Sequence, residues 1–341
     1  MVQARRVMLS FLVLFVAVSI NQILAADELP RLRISLSPIM GSAPLAFAQG
    51  WGLFEKHGLD VELVGLSDDG ERSAALMTGD IDGMICGVTT AILLFASGTD
   101  IVITSAAYQR DQTNSLAILS PSVFHIDSLE TLFANRNPTK IATIYRSDFE
   151  YHADRLLESS GFKIGKEPPY VYWTDMLQLA FWFGAQSLPA AVLPEPYITY
   201  IANFSLPGGA GLPEFIHLSD FEGIEQLPSV MVFRRPVVEE RGELINGFYR
   251  AYREVIDIVN CSNREELIEL GINKALALFF TGVTENSIPD GILDSFVIPR
   301  FSQPETLSSQ QFDDVVAWLV AKRYTDGNPS YEDMTTDRFL R

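Results

Sequence analysis

LRISLSPIMGSAPLAFAQGWGLFEKHGLDVELV, residues 32–64, carries the reading of the fold. Leu32, Ile34 and Leu36 alternate with Arg33 and Ser35, the period of a strand with one face in a core. From Pro44 to Phe54 the apolar residues Leu45, Phe47, Ala48, Trp51 and Phe54 return at helical spacing. That pattern stops near His57-Gly58, where glycine can turn left-handed. Val61-Glu62-Leu63-Val64 then reads as a second strand. Strand, helix and strand in so short a stretch predict a βαβ unit, whose strands are parallel.

The same alternation continues outward from this unit. Glu71–Thr78 reads as a helix, and residues 83–87, 101–104 and 140–144 read as strands. Helices are predicted over His152–Ser160 and Asp175–Phe183, stopping at Gly161 and Gly184, with a strand over Leu188–Leu193. Two later helices show a single apolar face. Glu239–Asn260 presents Leu244, Phe248, Tyr252, Val255 and Val259, and Gln311–Arg323 presents Phe312, Val315, Val316, Leu319 and Val320. The fold class is therefore α/β, with largely parallel sheets.

Apolar Ile101–Ala107 runs into the polar stretch Tyr108-Gln109-Arg110-Asp111-Gln112, and Val230-Met231-Val232-Phe233 restores an apolar strand. If the chain crosses between two lobes at both places, residues 27–112 and 229–341 form lobe 1. Residues 113–228 then form an inserted lobe 2. A length of 341 residues suits two domains, and 48% hydrophobic residues with 11% aromatics can fill their cores.

A net charge of −18 argues against nucleic acid or an anionic lipid surface as partner. The first residues place Arg5-Arg6 before the apolar run Val7–Ile20, which is short for a bilayer span, with small residues at Ala25 and Ala26. Residues 1–26 thus read as a signal peptide cleaved near Ala25 or Ala26. Its loss removes two positive charges and takes the net charge from −18 to −20. No cysteine stands at the cleavage region to take a lipid, so a periplasmic location is expected. Cys86 and Cys261 are the only cysteines. An oxidising compartment would permit a disulfide, but the apolar setting of Cys86 favours a buried free thiol. With no CxxC spacing and four scattered histidines, no metal is expected.

Four segments, taken in order, resemble a known family. They are Leu32–Glu62, Met77-Thr78-Gly79-Asp80-Ile81-Asp82-Gly83, Ala190-Ala191-Val192-Leu193-Pro194-Glu195-Pro196-Tyr197, and Val232-Phe233-Arg234-Arg235-Pro236 with the helix through Tyr252. They are similar to the periplasmic solute-binding proteins of ABC importers, in the nitrate, sulfonate, taurine and thiamine-precursor (pyrimidine) branch. The resemblance implies a two-lobe periplasmic-binding-protein fold, type II-like, with a ligand cleft between the lobes. It implies a small-molecule ligand, an ABC permease of the inner membrane as partner, a monomer, and no cofactor. One branch of the same fold makes the thiamine pyrimidine with a cysteine-rich motif, which this chain lacks. No G-x-S-x-G is present either, so an enzyme is not expected.

Ligands of open α/β sheets sit beyond the carboxyl ends of the strands, where loops and helix N-termini offer free N–H groups. Lobe 1 offers Ser37, Met40, Ser42, Asp68, Asp69, Thr89 and Thr90 in such loops, and Tyr108 at the hinge. Lobe 2 offers Tyr145, Asp148, Tyr151, Trp173, Asp175, Glu195 and Tyr197. Arg72, Arg110 and Arg146 are the few cations among many carboxylates and rings. That balance favours a flat, neutral or cationic solute of pyrimidine type, which rings stack and carboxylates bind through N–H donors. The alternative is an anion of the sulfonate, taurine or nitrate type.

Overall fold

The computed structural model describes residues 29–37, 39–66, 68–107, 116–134, 139–162, 164, 169–203, 212–271, 295, 298–327 and 329–341. The expected signal peptide, Tyr108 and Arg110 lie outside these residues. The described strands are β1 (Arg31–Ser35), β2 (Asp60–Val64), β3 (Gly83–Cys86), β4 (Ile101–Ala107), β5 (Leu116–Pro121), β6 (Ile141–Ile144), β7 (Tyr170–Trp173), β8 (Ala191–Pro194), β9 (Phe215–Ser219) and β10 (Ser229–Arg234). They make two five-stranded sheets, in the orders β2-β1-β3-β10-β4 and β7-β6-β8-β5-β9.

Both sheets are mixed, which refines the largely parallel expectation. In the first, β1 pairs in parallel with β2 and β3, while β10 runs antiparallel to β3 and β4. In the second, β6 is parallel to β7 and β8, and β5 is antiparallel to β8 and β9. The strand that ends each crossing, β5 or β10, accounts for the reversal in its sheet. β5 enters the second sheet directly after β4, and β10 returns to the first from beyond β9. The architecture is α/β, with helices packed on two five-stranded mixed sheets.

Two expected helices are divided. The pattern over Pro44–Phe54 folds as Ala43–Gly50 and Leu53–Lys56, parted at Gly52, whose φ of +67° suits glycine and ends the first piece. Apolar periodicity runs through this break because both pieces face the same core, with Phe47 stacked on Trp51. Glu239–Asn260 folds as Arg235–Glu240 and Gly242–Cys261, parted at Arg241, whose guanidinium binds Asp82 at 3.0 Å. The longer helix buries Phe248, Tyr252, Val255 and Val259 as expected, with Ile245 and Tyr249 beside them. Phe248 stacks on Phe54 at 5.6 Å, and Tyr249 is held by Thr104 at 2.7 Å and Ser105 at 2.9 Å.

The helix Ser309–Ala321 packs on the helix Val88–Ala96 beside the first sheet. It buries Phe312, Val315, Val316 and Leu319, while Val320 faces solvent. Its far end reaches the helix Asp148–Ser159 beside the second sheet. There Lys322 pairs with Glu150 at 2.8 Å and Asp154 at 2.9 Å. Trp318 and Tyr170 also donate to Asp154, and Tyr172 and Tyr324 to Glu150, all between 2.7 and 2.8 Å. A largely buried polar cluster thus joins the helix Ser309–Ala321 beside the first sheet to the helix Asp148–Ser159 beside the second. Cys86 is a buried thiol and Cys261 an exposed one, and the two are not bridged.

Candidate functional site

The loops after β1, β2 and β3 face those after β6, β7 and β8, and a cavity of about 120 Å³ lies between them. An apolar cavity of roughly 150 Å³ holds benzene, so this space is on the scale of a single ring or a small ion. The first sheet contributes Ser37 and Met40, then Asp68, Asp69 and Arg72, then Gly87 and Thr90. The second contributes Ser147, Asp148, Phe149 and His152, then Thr174 and Met176, then Glu195. Ala107 and Leu116 close the wall on the outward crossing, and Gln226–Ser229 close it on the return.

Hydrogen bonds cross the cleft. Met40 N–H donates to the Glu195 carbonyl at 3.2 Å. The N–H groups of Val88 and Thr89, first in their helix, donate to the two carboxylate oxygens of Asp148, each at 2.9 Å. On one side of the cleft, within residues 113–228, Leu227 N–H donates to His152 Nε2 at 2.8 Å, which fixes that nitrogen as an acceptor. Burial pushes the His152 pKa down to about 3, so the ring is neutral at neutral pH.

The charges in the cavity are engaged by neighbouring protein groups, Arg72 and Asp69 with each other and the remaining carboxylates by N–H or hydroxyl donors. Arg72 is 2% exposed. It donates to the Leu36 carbonyl at 3.2 Å and the Ser37 hydroxyl at 3.3 Å, and pairs with Asp69. Its buried Nε has no partner, and burial draws its pKa below the usual arginine value. Thr90 donates to Asp69 at 3.0 Å, and Asp68 caps the helix Asp69–Thr78 by accepting from Glu71 N–H at 2.8 Å. Glu195 accepts from Thr199 N–H at 3.2 Å and from its hydroxyl at 3.0 Å. Burial raises the pKa of both Glu195 and Asp148 against these hydrogen bonds.

Of the residues singled out from sequence, Ser37, Met40, Asp68, Asp69, Thr90, Asp148 and Glu195 line the cavity. Thr89 is buried beside it and gives its backbone N–H, and Ser42 is buried at the start of the Ala43–Gly50 helix. Asp175 caps the Met176–Gly184 helix through Gln178 N–H at 2.9 Å. Tyr197 is core, Trp173 packs partly against the second core, and Tyr151 meets Trp318 edge-on. Tyr145 is exposed against Tyr172 and Tyr324. Tyr108 lies outside the described residues.

Sequence reasoning missed His152, Phe149, Thr174, Met176 and the stretch Gln226–Ser229 as cavity wall. A signal for the last was present. Gln226-Leu227-Pro228 directly precedes the return strand, and both crossings of a two-lobe chain border its cleft. His152 and Phe149 gave none, since the sequence marks their helix only from His152 onward and its pattern does not show which residues face a cleft.

Among the described residues no group of three or more His, Cys, Asp or Glu side chains is placed to hold a metal, and no helix is long and apolar enough to cross a membrane. The NMT1-like family matches the chain over residues 25–198. No curated protein matches its sequence significantly. Among solved structures, the alkanesulfonate-binding protein SsuA from Xanthomonas axonopodis pv. citri, bound to MOPS, is 17% identical with a TM-score of 0.69, covering 91% of this chain and 99% of its own. The periplasmic aliphatic sulphonate binding protein SsuA from Escherichia coli is 20% identical with a TM-score of 0.67, covering 92% and 99%. The periplasmic nitrate-binding protein NrtA from Synechocystis PCC 6803 is 14% identical with a TM-score of 0.68, covering 92% and 88%.

Proposed function

The chain belongs to the NMT1-like family, and from that premise we propose that it is the periplasmic solute-binding component of an ABC importer. The observation that carries this reading is a ring-sized cavity at the facing strand ends of two sheets, walled from both sides and from both crossings. Residues 27–112 and 229–341 form one lobe in this reading, and 113–228 the other. Hinge closure on a solute gives a permease of the inner membrane a shape to recognise. The protein acts as a monomer after loss of residues 1–26, and the role requires neither a catalytic residue nor a cofactor.

Within that role the solute is a small, neutral or cationic heterocycle of pyrimidine type. Four carboxylates, Asp68, Asp69, Asp148 and Glu195, face one guanidinium, Arg72, in the same cavity. A guest rich in N–H donors answers that excess of acceptors. The second reading is an anion such as a sulfonate or nitrate. It is favoured by the unpartnered Nε of Arg72 and by the ligands named for the structural neighbours.

The test is a thermal-shift screen of the secreted protein against aminopyrimidines, alkanesulfonates, taurine and nitrate, since a bound solute stabilises by mass action. Scattering should show the protein compact with its solute. Replacing Glu195 by Ala is expected to weaken the solute that scores by about tenfold or more, the worth of one hydrogen bond to a charged group. Unchanged affinity in calorimetry would take Glu195 out of the site, and a screen without a hit in any class would count against solute capture.

A further inference from the structure

We propose that Asp148 is a built-in anion, seated where the carboxylate, sulfonate or nitrate group of a solute would otherwise be held, and that it sets the cavity against anionic solutes. This deepens the proposed role and rests on the cavity being the binding site.

The start of the Val88–Ala96 helix carries two backbone N–H groups aimed across the cleft, with the positive end of the helix dipole behind them. Such a place commonly receives a ligand anion. Here both donors are taken by one carboxylate of the same chain, with Oδ2 on Val88 and Oδ1 on Thr89. The fit is close enough to specify the residue beneath it. A Cβ added to Gly87 would lie 2.5 Å from Asp148 Oδ2 and 2.7 Å from its Cγ, so only glycine admits the carboxylate there. Asp148 is itself the first residue of the Asp148–Ser159 helix, so the starts of two helices meet on its side chain.

The cavity wall also holds a buried cation, Arg72, whose Nε lacks a partner while its terminal nitrogens are held by Leu36, Ser37 and Asp69. Both positive features of the cavity, helix start and guanidinium, are thus met by internal carboxylates. An entering anion would meet a helix start whose N–H groups are already satisfied, and a fixed negative charge on them. A neutral or cationic donor meets no such opposition. Removing the Asp148 carboxylate would leave two free N–H groups beside a buried guanidinium, which is the donor set an oxyanion needs.

The experiment compares the full secreted chain with its Asp148→Ala and Asp148→Asn variants, titrated with sulfate, nitrate and methanesulfonate at constant ionic strength. Thermal shift and calorimetry are the readouts. Asp148→Ala is expected to bind at least one of these anions about tenfold or more tightly than the parent. Asp148→Asn keeps the side chain's shape and is expected to gain in the same direction. It also serves if the alanine variant does not fold. The proposal is overturned if the folded variants bind none of the three anions more tightly than the parent does. Failure of solute capture would show differently, as no response of the parent to any solute class, while the gain of anion binding on removing Asp148 would still be read.

Discussion

Replacing Lys322 by Met is expected to destabilise the protein by about 3–5 kcal/mol, the usual cost of removing one partner from a buried ion pair. Lys322 is 16% exposed and sits between Glu150 and Asp154, which are 0% and 4% exposed. Methionine fills the aliphatic volume but leaves two carboxylates in a low-dielectric setting with Trp318, three tyrosine hydroxyls and the Arg146 backbone N–H as donors and no cation. Urea denaturation at pH 7 measures the loss. Adding Glu150→Gln and Asp154→Asn should restore a large part of it, because the penalty lies in the uncompensated charges. If Lys322→Met costs less than about 1 kcal/mol, as an exposed pair would, the cluster is not the joint described here. Burial lowers the Lys322 pKa, but the bonds to Glu150 and Asp154 outweigh this and raise it overall. Its contribution is therefore complete at neutral pH and lost only as pH climbs through the raised value.

Acidification provides the second large effect. His152 is neutral and buried, with its pKa pushed down from 6.5 to about 3. The unfolded chain takes up a proton below pH 6.5 and the folded chain does not, so stability falls as pH drops from about 6.5 towards 3. At about 1.4 kcal/mol for each pH unit, the loss reaches roughly 3 kcal/mol by pH 4. Asp148 and Glu195 work in the opposite sense. Their raised pKa values make the folded state the better proton acceptor, so each adds stability as pH falls through its folded value. The clean comparison is His152→Gln, whose side-chain oxygen can still accept from Leu227 N–H but takes no proton. Denaturation curves at pH 7 and pH 4 should show the parent losing roughly 3 kcal/mol more than this variant. Equal losses would mean that the ring is already protonated in the folded protein, or that it opens to solvent without cost.

Much of the frame was legible because periodic burial writes itself into sequence. β1, β2 and the helices after β2 and within Gly242–Cys261 each bury one face, so their apolar residues recur with the period of the element. Val88–Ala96 escaped for the converse reason. Six of its nine residues are buried, and a helix enclosed on most sides shows no stripe. β5, β7 and β9 span 6, 4 and 5 residues and were not read, although the four-residue β3, β6 and β8 were, so length does not account for the difference. The breaks at Gly52 and Arg241 were hidden because the apolar faces continue across them.

For the cavity, topology did the selecting. Loops at strand ends were readable as candidates, and Asp68, Asp69, Asp148 and Glu195 came from that rule alone. Which of the candidates face inward depends on helix phase and on how the lobes meet. Asp175 turns to cap its own helix and Tyr197 turns into the core, whereas His152 turns towards the cleft.

The α/β class, most of the chain's strands and helices and the list of loops able to hold a solute follow from local patterns, since neighbours in sequence set hydrophobic period and turn chemistry. Tertiary structure alone decided that Asp148 rests on the N–H groups of Val88 and Thr89 and that Lys322 joins Glu150 and Asp154. Those pairs stand 60, 59, 172 and 168 positions apart, and an electrostatic contact over such separations exists only once packing has closed the distance.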